Sequence, residues 1–496
     1  MSKAQDEITI KDLEEKIQQA CKDPDLPAWV SLLFMMILAF FKQIVAERDA
    51  LKRKLYGSPK SERKPKPKTE KKPKPRKPRD PKRHTLDKTE LEEEIRVHKA
   101  PKNCPKCGKA DLIELNTVKE SIEYIYKPAR LVRVRHQMQK CACQHGCAVV
   151  TAPAPPKVGD GGGKFGPGVY ADIMVKRAYD AIPFSRQADQ WSRFGIPLRK
   201  STICDLFHRG STELKPIYDA LLLELAQSEL LNADETPQPF LAEGKTRRGY
   251  MWTLADQNLS AYVFSETRSS EVPFQLLKDA NGILMTDGYA GYNKVAQLEE
   301  WTRVGCMAHA RRYFVEAFAT APDESKEIID LIASLYRIEA EVKRQKLEGT
   351  EQHLEIRQQQ SQPIILELKA ILDRKNPQIP PKSPLGKAIN YALKQWEPLT
   401  QFLSNSIIPL DNNHAERLLR RVALARKTSM FMSAGRGESY AVVLSLVQSC
   451  RLCGINPEEY LSDVLLRVQT TPISQVRSLL PTQWQSSTDR ISHAWA

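Results

Sequence analysis

The chain has 496 residues, 75 Lys and Arg against 60 Asp and Glu for a formal net charge of +15, and 41% hydrophobic residues. That length excludes a single small module and suggests three or four folded units at roughly 100–200 residues each. The hydrophobic content excludes disorder throughout, and the positive balance points to a polyanionic partner. The longest apolar stretch, Ala28 to Phe41, is 14 residues, short of the roughly 20 that cross a bilayer. No cationic start with an A-x-A site precedes it, so a cytoplasmic protein without a membrane partner is expected. Of ten cysteines, Cys104, Cys107, Cys141, Cys143 and Cys147 crowd together, which favours a metal site in a reducing compartment over a disulfide scaffold.

Residues 1–56 read as a helical, coiled-coil-like region, because Phe34, Ile37, Phe41, Ile44, Leu51 and Leu55 recur at three- and four-residue spacing, with Arg48 interrupting between Ile44 and Leu51. A homodimer or higher oligomer would use such a stripe, and so would a helix packing on its own protein. Residues 57–100 read as a linker. Between Gly57 and His84 stand nine Lys and four Arg against three acids, a net +10, together with seven prolines. Proline removes donors and favours extended polyproline II, so this stretch should be a stiff basic tether able to touch phosphate.

Residues 101–150 read as a zinc-binding module. CPKCG is the tight knuckle that lets Cys104 and Cys107 grip one tetrahedral zinc, and CACQHGC follows at a distance that completes a four-ligand site. Cys143 with Cys147 fits the second pair, while Cys141 or His145 could substitute. Residues 151–228 combine a Pro/Gly hinge with helices. Within them SRQADQWSRFGIPLRKSTICDLFHRG has two helical patterns around a turn at Gly195 to Pro197, the order of a helix-turn-helix and also of an ordinary helical hairpin.

From Leu230 the pattern changes to strands: ELLNADETP, GYMWTLAD and SAYVFSET, then a polar helix-like stretch, GILMTDGYAGYNK and TRVGCMAHARRYF. Three β runs, a helix and a further strand ending in an acid match the order of an RNase H-like fold. Asp234 ends the first apolar run and Asp287 the fourth, so the two carboxylates are expected to meet. This first part of the catalytic core spans 229–321. Residues 322–400, rich in Glu, Gln and Lys, read as a helical insertion, and 401–454 return to the core with IPLDNNHAERLLRRVALARK, a capped basic helix carrying Glu416. A tail fills 455–496. The fold class is therefore multidomain α+β: an RNase H-like core with a mixed sheet and a helical insertion, preceded by a coiled-coil-like helix and a small zinc module.

The sequence resembles transposases of the insertion sequence 66 family, a DDE-type group. The resemblance rests on KLYGSPKSERK, CPKCG with the following Cys pair and TAPAP, ADET, TDGYAGYN, CMAHARRYF, LDNNHAER with RKTSMF, and YLSDVL with SLLPTQW. It implies that Asp234, Asp287 and Glu416 are a DDE triad holding two Mg²⁺, as suits hard oxygen ligands. It also implies Mg²⁺-dependent strand cleavage and strand transfer on double-stranded DNA, at element ends and target, with helper proteins from the same element.

Asp411 competes with Glu416 as third ligand, but its place before Asn412 and Asn413 favours an N-cap. Glu235 should face away from Asp234 if the strand continues. Cys306 and His309 stand at Cys-x-x-His spacing, where packing of the site wall is favoured over zinc, and Arg311 and Arg312 could neutralise phosphates. Cys450 and Cys453 lie in an apolar helical run, where core burial explains them. A DNA-binding repressor or inactive relative built from the same modules, and a nuclease that cuts without joining, are the competing functions.

Overall fold

The computed structural model describes Val30 and residues 134–142, 149–151, 155–159, 164–429, 432–433 and 435–485. The coiled-coil-like stripe, the basic tether, Cys104, Cys107, Cys143, His145 and Cys147 lie outside the described residues. All described residues except Val30 belong to the unit from Ala129 to Ala496. It is α+β, with one mixed sheet, one two-stranded ribbon and many helices. The ribbon pairs β1 (Lys140–Ala142) antiparallel with β2 (Val149–Thr151), Cys141 lying opposite Val150.

Among the described residues four helices of known bounds precede the sheet: α1 (Pro167–Ala178), α2 (Phe184–Arg193), α3 (Lys200–Glu213) and α4 (Lys215–Leu225). Proline in the first turn and Lys176 with Arg177 in the last suit the free amides and the dipole of α1. Gly195, at φ +78°, turns the chain between α2 and α3, a backbone region closed to most side chains. Tyr170, Ile173 and Met174 of α1 and Ile203 and Phe207 of α3 are buried in one core with the sheet.

The sheet opens with a meander of β3 (Leu230–Ala242), β4 (Lys245–Ala255) and β5 (Ser260–Ser265), all antiparallel. Glu243 and Gly244, both at positive φ, form the two-residue hairpin turn between β3 and β4. After α5 (Glu271–Leu277) the chain crosses to β6 (Gly282–Thr286), parallel to β3, and after α6 (Asn293–Ala296) to β7 (Trp301–Gly305), parallel to β6. The order is β5-β4-β3-β6-β7, and the short β8 (Met432–Ser433) pairs with the far end of β3.

The sequence puts Asp234 at a strand end; instead β3 continues past it to Ala242, paired with β4 along its whole length. Pro237 and Pro239 do not break it. Their alternate positions place the missing N–H on the edge away from β4, where β6 pairs only Leu230–Asn232 and β8 only Phe240–Leu241. Between those ladders the edge is completed by other groups: Asn412 donates to the Ala233 carbonyl, the Asp234 side chain accepts from the Glu235 amide, and Arg426 donates to the Pro237 carbonyl.

A second core forms on the β6–β7 side from α7 (Met307–Ala317), α8 (Pro322–Gln345), α10 (Gln362–Lys375), α11 (Pro384–Lys394) and α12 (Trp396–Thr400), with α9 (Glu351–Ile356) standing between α8 and α10 in the chain. Its polar anchor is the buried Arg357, in a π-helical turn between α9 and α10. Arg357 grips both Glu339 oxygens at 2.7–2.8 Å and donates to the carbonyls of Phe402 and Asn405. Three helices return to the first core: α13 (Asn413–Thr428), α14 (Gly437–Leu452) and α15 (Pro457–Arg467). From Tyr440 to Cys450 every residue of α14 is buried, including two serines. Their hydroxyls accept the outward amides of edge strand β5, Ser445 from Tyr262 at 2.8 Å and Ser449 from Ser260 at 2.9 Å. The helix thereby closes a sheet edge that would otherwise expose unpaired donors.

Candidate active site

The last β3–β6 pair is Asn232 with Met285, so Asp234 stands just beyond that ladder and Asp287 one residue past the end of β6. Each carboxylate there accepts an amide that the sheet leaves free. Asp234 Oδ1 takes Glu235 N at 2.8 Å, and Asp287 Oδ1 takes Tyr289 N at 2.8 Å. Arg303 from β7 fixes the Asp287 turn, donating to the carbonyls of Asp287 (2.9 Å) and Tyr289 (3.3 Å).

Glu416 arrives from far along the chain, in the first turn of α13. The residue that brings it is Asn412, fully buried at the helix entrance. Its Nδ2 donates to the Ala233 carbonyl at 2.8 Å, its Oδ1 accepts from Asn232 Nδ2 at 2.9 Å, and its amide donates to Cys306 Sγ at 3.2 Å. One side chain and one amide thus tie α13 to β3 and to the start of α7. Asp411 does the capping: Oδ1 accepts from Asn413 N at 3.0 Å, and Oδ2 accepts from Tyr336 OH at 2.9 Å.

Electrostatics show that the three acids share one region. Burial first, then the charges of Glu235, Asp287 and Glu416, push the Asp234 carboxyl up to about 8, against the opposing Glu235 amide bond. Glu235 faces the other way on β3, where Arg268 Nε (2.8 Å) and Tyr292 OH (2.8 Å) hold it. Its burial raises it, and those two donors oppose the rise. Glu416 Oε1 sits 3.4 Å from Arg312 Nη2 and 3.6 Å from His309 Nε2, both on α7. Burial lowers His309, Asp287 opposes that and Arg312 adds to it, and its Nδ1 is buried with no hydrogen-bond partner among the described residues. Arg311 beside Arg312 is exposed.

Cys306 is a buried acceptor at the start of α7, its thiol pushed up to about 11 by burial, and it packs the wall of the site. Cys450 is buried within α14, and Cys453 follows that helix. Among the described residues no three His, Cys, Asp or Glu side chains stand close enough to grip one ion jointly. The donor chemistry nevertheless suits a hard divalent cation: burial first and the neighbouring carboxylates second raise the Asp234 carboxyl, and a cation would offset both. Asn412, Asn232 and Arg303 escaped the sequence argument. In the sequence Asn412 shows only as the neighbour of the cap candidate Asp411, and nothing local marks the other two.

Comparison with known proteins gives three family matches. "Transposase IS66 family" matches residues 162–439, which include Asp234, Asp287 and Glu416. "IS66 C-terminal element" matches 445–482, and "zinc-finger binding domain of transposase IS66" matches 101–146, ending one residue before Cys147. Among similar proteins, "Uncharacterized protein y4jD" of Sinorhizobium fredii is 34% identical over 401 residues, 76% of this chain and 77% of that protein. "Uncharacterized protein y4hP" of the same organism is 29% identical over 428 residues, 80% of this chain and 76% of its own.

Proposed function

The chain belongs to the IS66 transposase family, and from that premise we propose that it cuts and joins DNA at the Asp234, Asp287 and Glu416 site. The observation that carries the proposal is the convergence of these acids, 53 and 129 residues apart in sequence, strongly enough that Asp234 feels both others. The sheet order, with an antiparallel β3–β5 meander and parallel β6 and β7, supports an RNase H-like core. Asp234, Asp287 and Glu416 would hold two Mg²⁺, which supply activation of the attacking oxygen and stabilisation of the leaving one in an in-line phosphoryl transfer.

The chain's own groups do the rest. Asp234 must shed its proton to serve as a ligand, and Asp411 and Asn412 keep the α13 entrance in register with β3. Arg311 and Arg312 can neutralise the phosphate that enters. His309, kept neutral by burial, can take a proton at Nε2 beside Glu416. In the first step water forms a P–O bond as the strand's 3′ oxygen leaves. In the second, that 3′-hydroxyl attacks a target phosphodiester, so one P–O bond forms as one breaks and no external energy is needed. Cys104, Cys107, Cys143 and Cys147 would hold a structural Zn²⁺, and the zinc-finger match over 101–146 supports a zinc module there.

The test is a Mg²⁺-dependent cleavage and joining assay on the element's own ends, run beside a gel-shift assay. Alanine at Asp234, Asp287 or Glu416 should each abolish chemistry by orders of magnitude while end binding survives. Asp411→Ala should act mainly through stability. Robust cleavage by Asp234→Ala or Glu416→Ala would remove the triad assignment, and a wild type that binds ends without cutting them would favour a repressor.

A further inference from the structure

Away from the acids, a cavity of about 370 Å³ lies between α1, α2, α3, the end of α13 and the start of α14. Arg177, Lys200 and Arg436 contribute to its lining, and among the described residues no Asp or Glu does. Arg177 is only 7% exposed, its guanidinium held over the rings of Phe184 and Tyr440. Its Nη1 has no hydrogen-bond partner among the described residues, and neither do the Tyr440 hydroxyl, the Ser429 hydroxyl and His208 Nδ1, all buried around the same space. Arg436 donates to the Cys204 thiol at 2.6 Å, a weak acceptor for a cation.

A buried guanidinium with no anion beside it is costly, and four orphaned polar atoms around one cavity multiply that cost. Donors and cations are in surplus here, and the missing component is an anion rich in acceptor oxygens. Burial lowers Arg177, and burial with the Arg436 charge, against Asp205, lowers His208 to about 4, so His208 registers the neighbouring cation. Lys200, the first residue of α3, adds the positive end of a 14-residue helix.

We propose that this cavity seats a backbone phosphate of the DNA strand that runs to the acid site, held by Arg177, Arg436 and Lys200. This rests on the reading of the chain as a DNA-cutting enzyme. The helix α13 links the two places, with Glu416 in its first turn and Thr428, which lines the cavity, at its last. Their separation along the helix is about 18 Å at 1.5 Å per residue, a span of a few phosphates along one strand. The cavity would therefore fix the register of a strand whose cleaved phosphate lies at the acids. Its volume exceeds one phosphate and leaves room for the attached sugar against the Phe184 and Phe207 rings.

The experiment uses the full chain and end DNA, measuring affinity against salt for the wild type, Arg177→Met, Arg436→Gln and Lys200→Gln. Arg177→Met keeps the bulk and removes the unpaired charge, so the free protein should melt at the same or a higher temperature. Its DNA affinity should fall about ten-fold or more and its salt slope by about one. A single neutral methylphosphonate linkage a few positions from the cleaved bond should weaken the wild type to a similar degree and leave Arg177→Met unaffected. An Arg177→Met protein that melts lower and binds DNA normally would make Arg177 structural and overturn the proposal. Stabilisation of the wild type by inorganic phosphate, with no methylphosphonate effect, would assign the cavity to a free phosphate and overturn it too. If wild type cuts DNA and all three variants bind normally, the cavity alone is refuted; if wild type neither binds nor cuts, the DNA reading itself fails.

Discussion

Asp234→Asn should inactivate the protein and yet stabilise it when no divalent cation is present. The carboxyl moves from 3.8 to about 8 on folding, so the folded state holds its proton more tightly than the unfolded chain does. By linkage the wild type is most stable below about pH 4 and loses stability as pH rises through about 8. At pH 7 the ceiling on that loss is about 4 kcal/mol, taking 1.36 kcal/mol for each pH unit above 3.8. Local relaxation reduces it, and about 2 kcal/mol is the expected gain for Asn, or a melting rise of about 3 °C. Asparagine keeps the Oδ1 that accepts the Glu235 amide, so the local turn survives. The assay is thermal unfolding in chelator from pH 4 to 9. The gap between variant and wild type should open with rising pH, level off above about pH 8, and shrink when Mg²⁺ stabilises the wild type alone. A variant that is less stable than wild type at every pH, or a gap that ignores pH, would refute the charge-crowding argument.

Arg357→Met should cost about 3 kcal/mol, because it leaves Glu339 and two carbonyls without their shared partner; chemical denaturation should show the α8–α12 helices loosening first. Ser445→Ala should cost about 2 kcal/mol by orphaning the buried Tyr262 amide at the edge of β5, with faster hydrogen exchange at that amide as the local check. Serine at Cys104 and Cys107 together should remove about one zinc per chain, read by elemental analysis, and unfold the module at 101–150; retention of zinc would reject the ligand pair. Deleting Gly57 to His84 should weaken DNA binding and flatten its salt dependence, given the +10 carried there, and an unchanged slope would show that the tether does not touch phosphate.

The mixed sheet is legible in the sequence because each strand is an apolar or alternating run bounded by turn residues, and the family because its motifs keep their order across the chain. The length of β3 is not legible. Pro237 and Pro239 argue locally for a break, and they are tolerated only because β6 ends early and β8 joins late, which depends on residues 40 to 190 positions away. Arg177 misleads in a similar way: in the last turn of α1 it reads as an ordinary dipole partner, and its isolation comes from Tyr440 and Phe184 closing over it.

The acids themselves show where sequence argument must stop. Asp234 and Asp287 each accept an amide that the sheet leaves free, and Glu416 occupies a helix first turn where any acid is favoured. Taken singly, every one is explained by its local backbone without any chemistry. What local roles do not explain is their common placement, and that depends on Asn412, whose partners Asn232 and Ala233 lie about 180 residues upstream. A polar side chain buried without local cause, satisfying the Ala233 carbonyl just past the β6 ladder, is the device that brings the start of α13, with Glu416, to the strand that carries Asp234. The raised Asp234 carboxyl is the energetic trace of its burial there, to which the neighbouring acids add, and a fold that tolerates it without a cation must draw on stability supplied elsewhere, in the helix-covered edge of β5 and the Arg357 anchor.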